Sequence, residues 1–338
     1  MSTSQTGGGP GSATTQPSGA GVTTTASSAV VTAPRRRPLV PGERPVWMPR
    51  PKPWVSALKV IVLVGICVAM VFPFWNVIMV SLSRDDAISP GEIVLWPKEF
   101  TIGAYQQILA GRTVYRAFLV SVGVTLVGTV LSIFFTVITA FGLSRTRETP
   151  GARTALMLII FTMLFGAGLI PNFLLVKQLG MLDSYASLIV PGVISAFNLV
   201  VIRNFFMEIP PELIESARVD GANDLQILAS IVVPLSKAVI AVIALFYAVG
   251  YWNSFFSALI YLNDTSKWPL QVILNQFVVQ GQPLPGQDAS SDPNLMKSLS
   301  PRTYRTAIIV LATVPVLLVY PFLQKYFTKG ILTGAIKG

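Results

Sequence analysis

The chain has 338 residues, is 52% hydrophobic and only 12% charged, and carries a net charge of +10 with no histidine and one cysteine. A soluble globular domain has about 25% charged residues, so the composition points to a membrane protein. Without histidine there is no His general base, no His metal ligand and no Ser-His-Asp chemistry, and the lone Cys67 supports neither a disulfide framework nor a Cys-based zinc site.

Residues 1–34 are dominated by Gly, Ser, Thr, Ala and Gln and show no periodic apolar pattern. Such a tract buries too little apolar surface to offset its ordering entropy, so disorder is expected. It has no charged start and no apolar run, which argues against a signal peptide. Arg35, Arg36 and Arg37 lead into Pro38, Pro41, Pro45, Pro49, Pro51 and Pro53, which read as an extended linker. The chain therefore divides into a Gly/Ser/Thr- and Pro/Arg-rich cytosolic tail, 1–53, and a membrane domain, 54–338.

Beyond the tail lie six long charge-free intervals: 60–83, 117–144, 154–176, 184–202, 238–263 and 306–324. The shortest holds 19 residues, which at ~1.5 Å per residue spans about 28 Å, close to the ~30 Å hydrocarbon core. One charge at mid-membrane costs roughly 2.5–3.5 kcal/mol, so six clean intervals predict six transmembrane helices and an all-α membrane fold. With the N-terminus inside, 16 of the 25 Lys and Arg residues fall in cytosolic segments, leaving 9 outside. That bias places both termini in the cytosol, and it accounts for the basic balance without nucleic acid.

Pro73, Pro171, Pro191, Pro315 and Pro321 lie within the intervals, with Gly166, Gly168 and Gly192 among them. Proline removes a backbone donor, so kinks are expected. Lipid tolerates them where neighbours or a watery cavity satisfy the freed carbonyl. The connections 84–116 and 264–305 are the longest on the outer face and are candidate docking surfaces for an external partner.

The most informative stretch is the cytosolic connection 210–236, PPELIESARVDGANDLQILASIVVPLS. Pro211 suits the first turn of a helix, and Glu212 suits its positive end. Leu213, Ile214 and Ala217 share one face. Asp220-Gly221 then breaks the helix, the glycine taking a left-handed turn and the aspartate capping the next helix. Leu225, Leu228, Ile231 and Val232 resume a helical stripe up to Pro234. The expected product is helix, tight turn, helix: a knob projecting from the membrane.

This stretch resembles the EAA loop of the permease subunits of ABC importers, the type I binding-protein-dependent transport family. Glu215, Ala217, Asp220, Gly221, Ala222, Ile231 and Pro234 match at the family's spacing, while Ser216, Leu228, Val233 and Ala238 depart from it. Leu95-Trp96-Pro97-Lys98, with Phe100-Thr101 and Tyr105, is similar to the first external loop of the carbohydrate branch. Trp252-Asn253 and the ending from Gln324 to Gly338 are similar to that branch as well. The loop from Ser291 to Arg302 is similar to permeases for complex or uronate-bearing oligosaccharides. The resemblance covers roughly residues 54–338. It implies a permease of the bacterial plasma membrane that pairs with a second, homologous permease as a heterodimer. It further implies two ATPase subunits that hold ATP and magnesium, an extracytoplasmic sugar-binding protein, and lipid around the spans. The matched residues would couple the ATPase to the membrane helices, with no catalytic residue, metal or cofactor on this chain. No Gly is followed by Lys, so the phosphate-cradling P-loop is absent, in keeping with that division of labour.

Sugar sites combine aromatic faces with amides. The fifth interval offers Tyr247, Tyr251, Trp252 and Asn253, and Asn172 and Asn198 are uncharged polar groups at membrane depth. Such residues are pathway candidates, although Asn also bridges helices and Trp also sits at the lipid interface. Two other classes stand beside the importer reading. A secondary transporter would show intramembrane charges or a repeat, and a membrane enzyme would show clustered catalytic polar groups; the intervals contain neither.

Overall fold

The apolar runs supply the long helices, and shorter helices form in the connections between them. The computed structural model describes residues 52–335 except 90, 147 and 281–300, with backbone alone at 110, 301, 320 and 322–335. Most of the tail 1–53, the stretch from Ser291 to Ser300 and the last three residues therefore lie outside the described residues. The chain divides into two compact units, Met1–Val62 and Leu63–Gly338.

Helix α1 (Pro53–Ser81) carries Pro73 without a break and stays apolar and exposed along most of its length, burying only Met79, Val80 and Ser81 at its end. The segment that comes next is pinned to it. The Trp75 indole N–H donates to the Leu95 carbonyl at 2.9 Å, and a single antiparallel bridge pairs Ser83 with Phe100. Helix α2 (Gly103–Ala110) leads into α3 (Arg112–Ser144), which buries one face and leaves Leu126, Val130 and Phe134 exposed on another. The buried positions of α3 include Ala117, Ser121, Gly128, Ser132 and Ala140. Small residues three to four apart let neighbouring backbones approach closely, which is how membrane helices associate without a hydrophobic driving force.

Helices α4 (Ala152–Leu164) and α5 (Leu169–Gln178) are separated by a break in which Gly168 adopts φ +85°. Helix α6 (Ala186–Ile189) runs into a 3-10 turn at Pro191, then α7 (Ala196–Met207) departs at 48°. The coupling segment contains α8 (Pro211–Val219), α9 (Asp224–Ile227), a π-helical turn over Leu228–Val232 and α10 (Val233–Leu235). Beyond Ser236, α11 (Lys237–Trp252) turns through 86°. Helices α12 (Phe255–Tyr261), α13 (Leu270–Leu274) and α14 (Pro301–Ala335) complete the described chain.

The six charge-free intervals do not become six continuous helices. Among the described residues three helices are long and apolar enough to cross a membrane, Pro53–Ser81, Arg112–Ser144 and Arg302–Val319, and bent pairs bring the number to five. The interval 154–176 is cut by the glycine break before α5, and the interval 238–263 is cut after Trp252. Absence of charge reports an apolar environment. It does not report an unbroken hydrogen-bond ladder, which glycine and proline interrupt. An all-α, multi-pass architecture stands.

Among the described residues a small cluster joins Met79, Val80 and Val94 at the end of α1, and two large clusters form the core. The larger joins α3, α7 and α11 through Val124, Leu199, Ile202, Ile243, Tyr247 and Tyr251 and extends into the coupling segment through Ile227, Leu228 and Val232. The smaller joins α2, α3, α13 and α14 through Ala104, Ile108, Ala117, Leu270, Tyr304 and Ile308, with Trp252 at its edge. Asp183, at φ +57°, clasps the segment after α12. Its carboxylate accepts the N–H of Asp264 at 2.9 Å and pairs with Lys267 at 2.7 Å. The Lys267 ammonium holds the Asp183 carboxyl below the usual carboxylate range, and the backbone N–H of Asp264 adds to this.

Candidate coupling loop and translocation cavity

Pro211 stands in the first turn of α8, where a missing N–H costs nothing, with Glu212 beside the positive end. The helix closes in a Schellman turn. Gly221 N–H donates to the Arg218 carbonyl at 3.0 Å, and Ala222 N–H reaches the Ala217 carbonyl at 2.9 Å. This closure requires a left-handed residue, and Gly221 has φ +86°. The next helix starts differently from the sequence expectation. Its cap is Asn223, not Asp220: Asn223 Oδ1 accepts the Gln226 N–H at 2.9 Å, and Gln226 Oε1 accepts the Asn223 N–H at 2.8 Å. That reciprocal pair is a capping box, which Asp220 is too far upstream to make.

The knob has two faces. Ile209, Ile214, Ala217, Ala222 and Val233 lie half-buried on the larger core. Glu212, Glu215, Asp220, Gly221 and Pro234 are exposed, as are Val219 at 89% and Leu225 at 71%. Of the residues matched by motif, Ala217, Ala222 and Ile231 thus support the knob from within, while the acids face outward. Leu225, expected on the apolar stripe, faces out as well, and Ile227 takes the buried place.

Four charges join this knob to the connection between α3 and α4. Arg145, capping α3, pairs with Asp224, and Arg218 pairs with Glu148. Cross-contacts of 3.5 Å (Arg218 to Asp224) and 3.9 Å (Arg145 to Glu148) close the set. The Arg145 guanidinium depresses the Asp224 carboxyl below its ordinary range, and that of Arg218 does the same to Glu148. None of these four was singled out from the sequence as a site residue.

Helices α6, α7, α11 and α12 border an open cavity of about 440 Å³. Asn198, Tyr247, Tyr251 and Asn253 line it, together with Ser195, Ser254, Ser257, Phe246 and Phe256, and no charged side chain is among the lining residues. Both tyrosine hydroxyls are already engaged. That of Tyr251 bonds Ser132 at 2.8 Å and donates to the Ile189 carbonyl at 3.3 Å; that of Tyr247 bonds Thr136 at 2.7 Å and accepts the Ser195 N–H at 2.9 Å. What these residues offer the cavity is ring surface. Asn253 ends α11, its side-chain amide donating back to the Val249 carbonyl at 2.9 Å, which leaves its oxygen for a ligand. Ser254 Oγ is buried with no hydrogen bond among the described residues, an orphan at the break of the fifth span.

Two sequence candidates fall elsewhere. Trp252 lies away from this cavity: its indole donates to the Ala312 carbonyl at 3.1 Å, and its ring meets Phe118 edge-on at 6.1 Å within the smaller cluster. Trp252 is the last residue of α11 and Asn253 its C-cap, and the two side chains go to different places: the indole into the smaller cluster, the amide to the cavity. Asn172 is exposed on α5 and does not line the cavity.

Residues 108–333 match the family described as binding-protein-dependent transport system inner membrane component. The chain belongs to that family. It is an ABC importer permease: a multi-pass membrane subunit of a multi-protein importer that works with an extracytoplasmic binding protein, and a transport subunit rather than an enzyme. The permease is 48% identical over 271 residues to the polygalacturonan/rhamnogalacturonan transport system permease protein YtcP of Bacillus subtilis (strain 168), covering 79% of this chain and 93% of that one. It is 42% identical over 281 residues to protein LplC of the same organism, covering 83% and 94%. Among solved structures it matches a chain of a bacterial ABC transporter involved in the import of the acidic polysaccharide alginate. That match has a TM-score of 0.76 at 34% identity, over 83% of this chain and all of the other.

Proposed function

We propose that this permease and a second, homologous one form the transmembrane path of a carbohydrate importer in the bacterial plasma membrane, driven by two ATPase subunits. The chain crosses the membrane six times with both termini in the cytosol, as its charge-free intervals and Lys/Arg bias indicate. ATP and magnesium belong to the ATPase, and a sugar-binding protein delivers the substrate outside. The cargo is an oligosaccharide bearing uronate units, which fits the polygalacturonan/rhamnogalacturonan and alginate systems to which the chain is similar.

The observation that carries this reading is the knob of residues 210–236. Its inner face is fixed to the core, and its outer face presents Glu212, Glu215 and Asp220 beside exposed Val219 and Leu225. Such a surface fits a groove with an apolar floor and basic rim on an ATPase. When the ATPase dimer closes, the knob moves with it and the cavity changes its access. The cavity supplies hydroxyls, amides and ring faces, the groups that bind sugar hydroxyls and sugar faces.

Uptake of labelled oligogalacturonides by the reconstituted importer tests the proposal. Asn253→Leu lowers uptake at limiting sugar while ATPase association and basal ATP hydrolysis persist. Uptake equal to wild type assigns Asn253 to packing instead. A wild-type chain that co-purifies with no ATPase refutes the importer reading altogether.

A further inference from the structure

The loop 210–236 is covalently continuous with α11 through Ser236, at the 86° bend. Helix α11 carries Tyr247 and Tyr251, whose hydroxyls are bonded to Thr136 and Ser132 of α3. Helix α3 ends at Ser144, on the cytosolic side, where the four-charge set grips the loop. Loop, α11 and α3 therefore form a triangle with every side closed. One side is the chain itself, one is the pair of hydroxyl ties, and one is the ion set together with the apolar contact of Ile227, Leu228 and Val232 with the larger core.

We infer that Arg145, Glu148, Arg218 and Asp224 are positioning residues that clamp the coupling loop to α3, so that motion of the knob turns α3 and α11 together and reaches the cavity. This rests on the coupling role proposed above. Glu148, Asp224 and Arg218 are exposed, and Arg145 is the member that sets the clamp apart from incidental surface ion pairs, which hold little. The Arg145 side chain is only 10% exposed and stacks on the Phe141 ring at 4.1 Å, so its guanidinium is fixed rather than tethered to a free chain. Arg203 Nε donates to the Leu143 carbonyl at 2.9 Å, which steadies the same end of α3 from α7. On the loop, Arg218 precedes the Gly221 turn and Asp224 comes after it, so the clamp holds both arms of the knob. The buried side chains Ile227, Leu228 and Val232 hold the base of the loop to the core, and the clamp adds a directional tie between its outer arms and the end of α3. The distance from Arg145 to Ser132 along α3 is about 20 Å at ~1.5 Å per residue, within the reach of a single rigid helix.

The test uses the complete importer in proteoliposomes, with Cys67→Ser and a reporter Ser257→Cys in the cavity. The readout is the change in labelling rate by a membrane-impermeant maleimide when a non-hydrolysable ATP analogue is added. It does not depend on knowing the sugar. Arg218→Glu or Glu148→Arg alone should reduce the nucleotide-induced change at least about five-fold, with the ATPase still bound, since energetic coupling between sites is commonly 5–150-fold. The double exchange should restore it, and Arg218→Lys should retain most of it. Single reversals that keep the full nucleotide response overturn the clamp. So does a double exchange that stays uncoupled while the complex remains intact. Failure of the parent background to bind the ATPase or to respond to nucleotide refutes the coupling role itself, a separate outcome.

Discussion

Replacing Gly221 by valine isolates the backbone requirement of the coupling loop. An added Cβ at Gly221 meets nothing within 4 Å, so the substitution creates no clash inside the chain. The whole cost lies in φ, which stands at +86°. A β-branched residue in the left-handed region is a genuine outlier, and such strain costs on the order of 1–3 kcal/mol. The closing bonds of Gly221 and Ala222, at 3.0 and 2.9 Å, are what the strained chain gives up if it relaxes. Each contributes about 0.5–1.5 kcal/mol net, the same scale as the strain, so the turn opens rather than tolerates valine. The cores are untouched, and membrane insertion stays normal. A graded series sharpens the test: Gly221→Asn costs least, because asparagine tolerates the left-handed region, Gly221→Ala is intermediate, and Gly221→Val is worst. Oligosaccharide uptake and ATPase pull-down should show that order at equal protein abundance. Wild-type uptake by Gly221→Val refutes the coupling role of the turn. Equal damage by asparagine and valine refutes the φ argument and points instead to direct contact between Gly221 and the ATPase.

Three further outcomes are expected from the geometry. Gly128→Ala puts a methyl carbon 2.8 Å from the Tyr251 ring and should destabilise the purified protein by about 1–3 kcal/mol, read as a lower melting temperature; an unchanged melting temperature would mean that the α3–α11 contact is looser than described. Asn223→Ala removes the capping box and should cost about 0.5–2 kcal/mol, more than Asp220→Ala, which removes no cap; the order of ATPase affinity for the two variants checks this. The carboxyls of Asp183, Glu148 and Asp224 are depressed by their cationic partners, so the stability they confer is present above the ordinary carboxylate range and is lost as pH falls through their lowered folded values. Lys267 is raised, so its share is complete below its ordinary range and lost only as pH climbs through the folded value. Melting temperature should be flat around neutrality and drop in acid below about pH 4, near the reference carboxylate range. Asp183→Asn should blunt that acid limb, and an identical limb in the variant would sink the assignment.

How legible the protein was depends on the range of the interaction. Gly221 was readable because one residue type satisfies one backbone conformation, and Pro211 was readable because only the first turn accepts it. The cap at Asn223 is also local, since an Asn with Gln three positions later is a box signature, but the neighbouring Asp220 drew the assignment away from it. Tyr251 and Asn253 were found beside Asn198 because polar groups in an apolar span are few. Ser195, Ser254 and Ser257 escaped because serine in a membrane helix is ordinary until its surroundings are known. The pairing of Arg145 with Asp224 joins residues 79 positions apart, and no local pattern encodes it. The break before α5 was hinted at by Gly166, Gly168 and Pro171, yet composition alone does not say which of those residues interrupts a helix and which, like Pro73, is absorbed, and the break after α11 had no such signal.

The knob's inner and outer faces obey different chemistry, and this has an evolutionary consequence. Its shape is set by a glycine turn, two alanines and a capping box, all of which are satisfied within the chain. The positions that meet a partner carry none of that burden. Ser216, which departs from the family pattern, is exposed, whereas Leu228, another departure, is buried. On the coupling role proposed above, substitutions of the first kind would retune which motor subunit fits, and those of the second kind would only repack the base. A few exposed side chains could then change the partner while the plug's form stays intact.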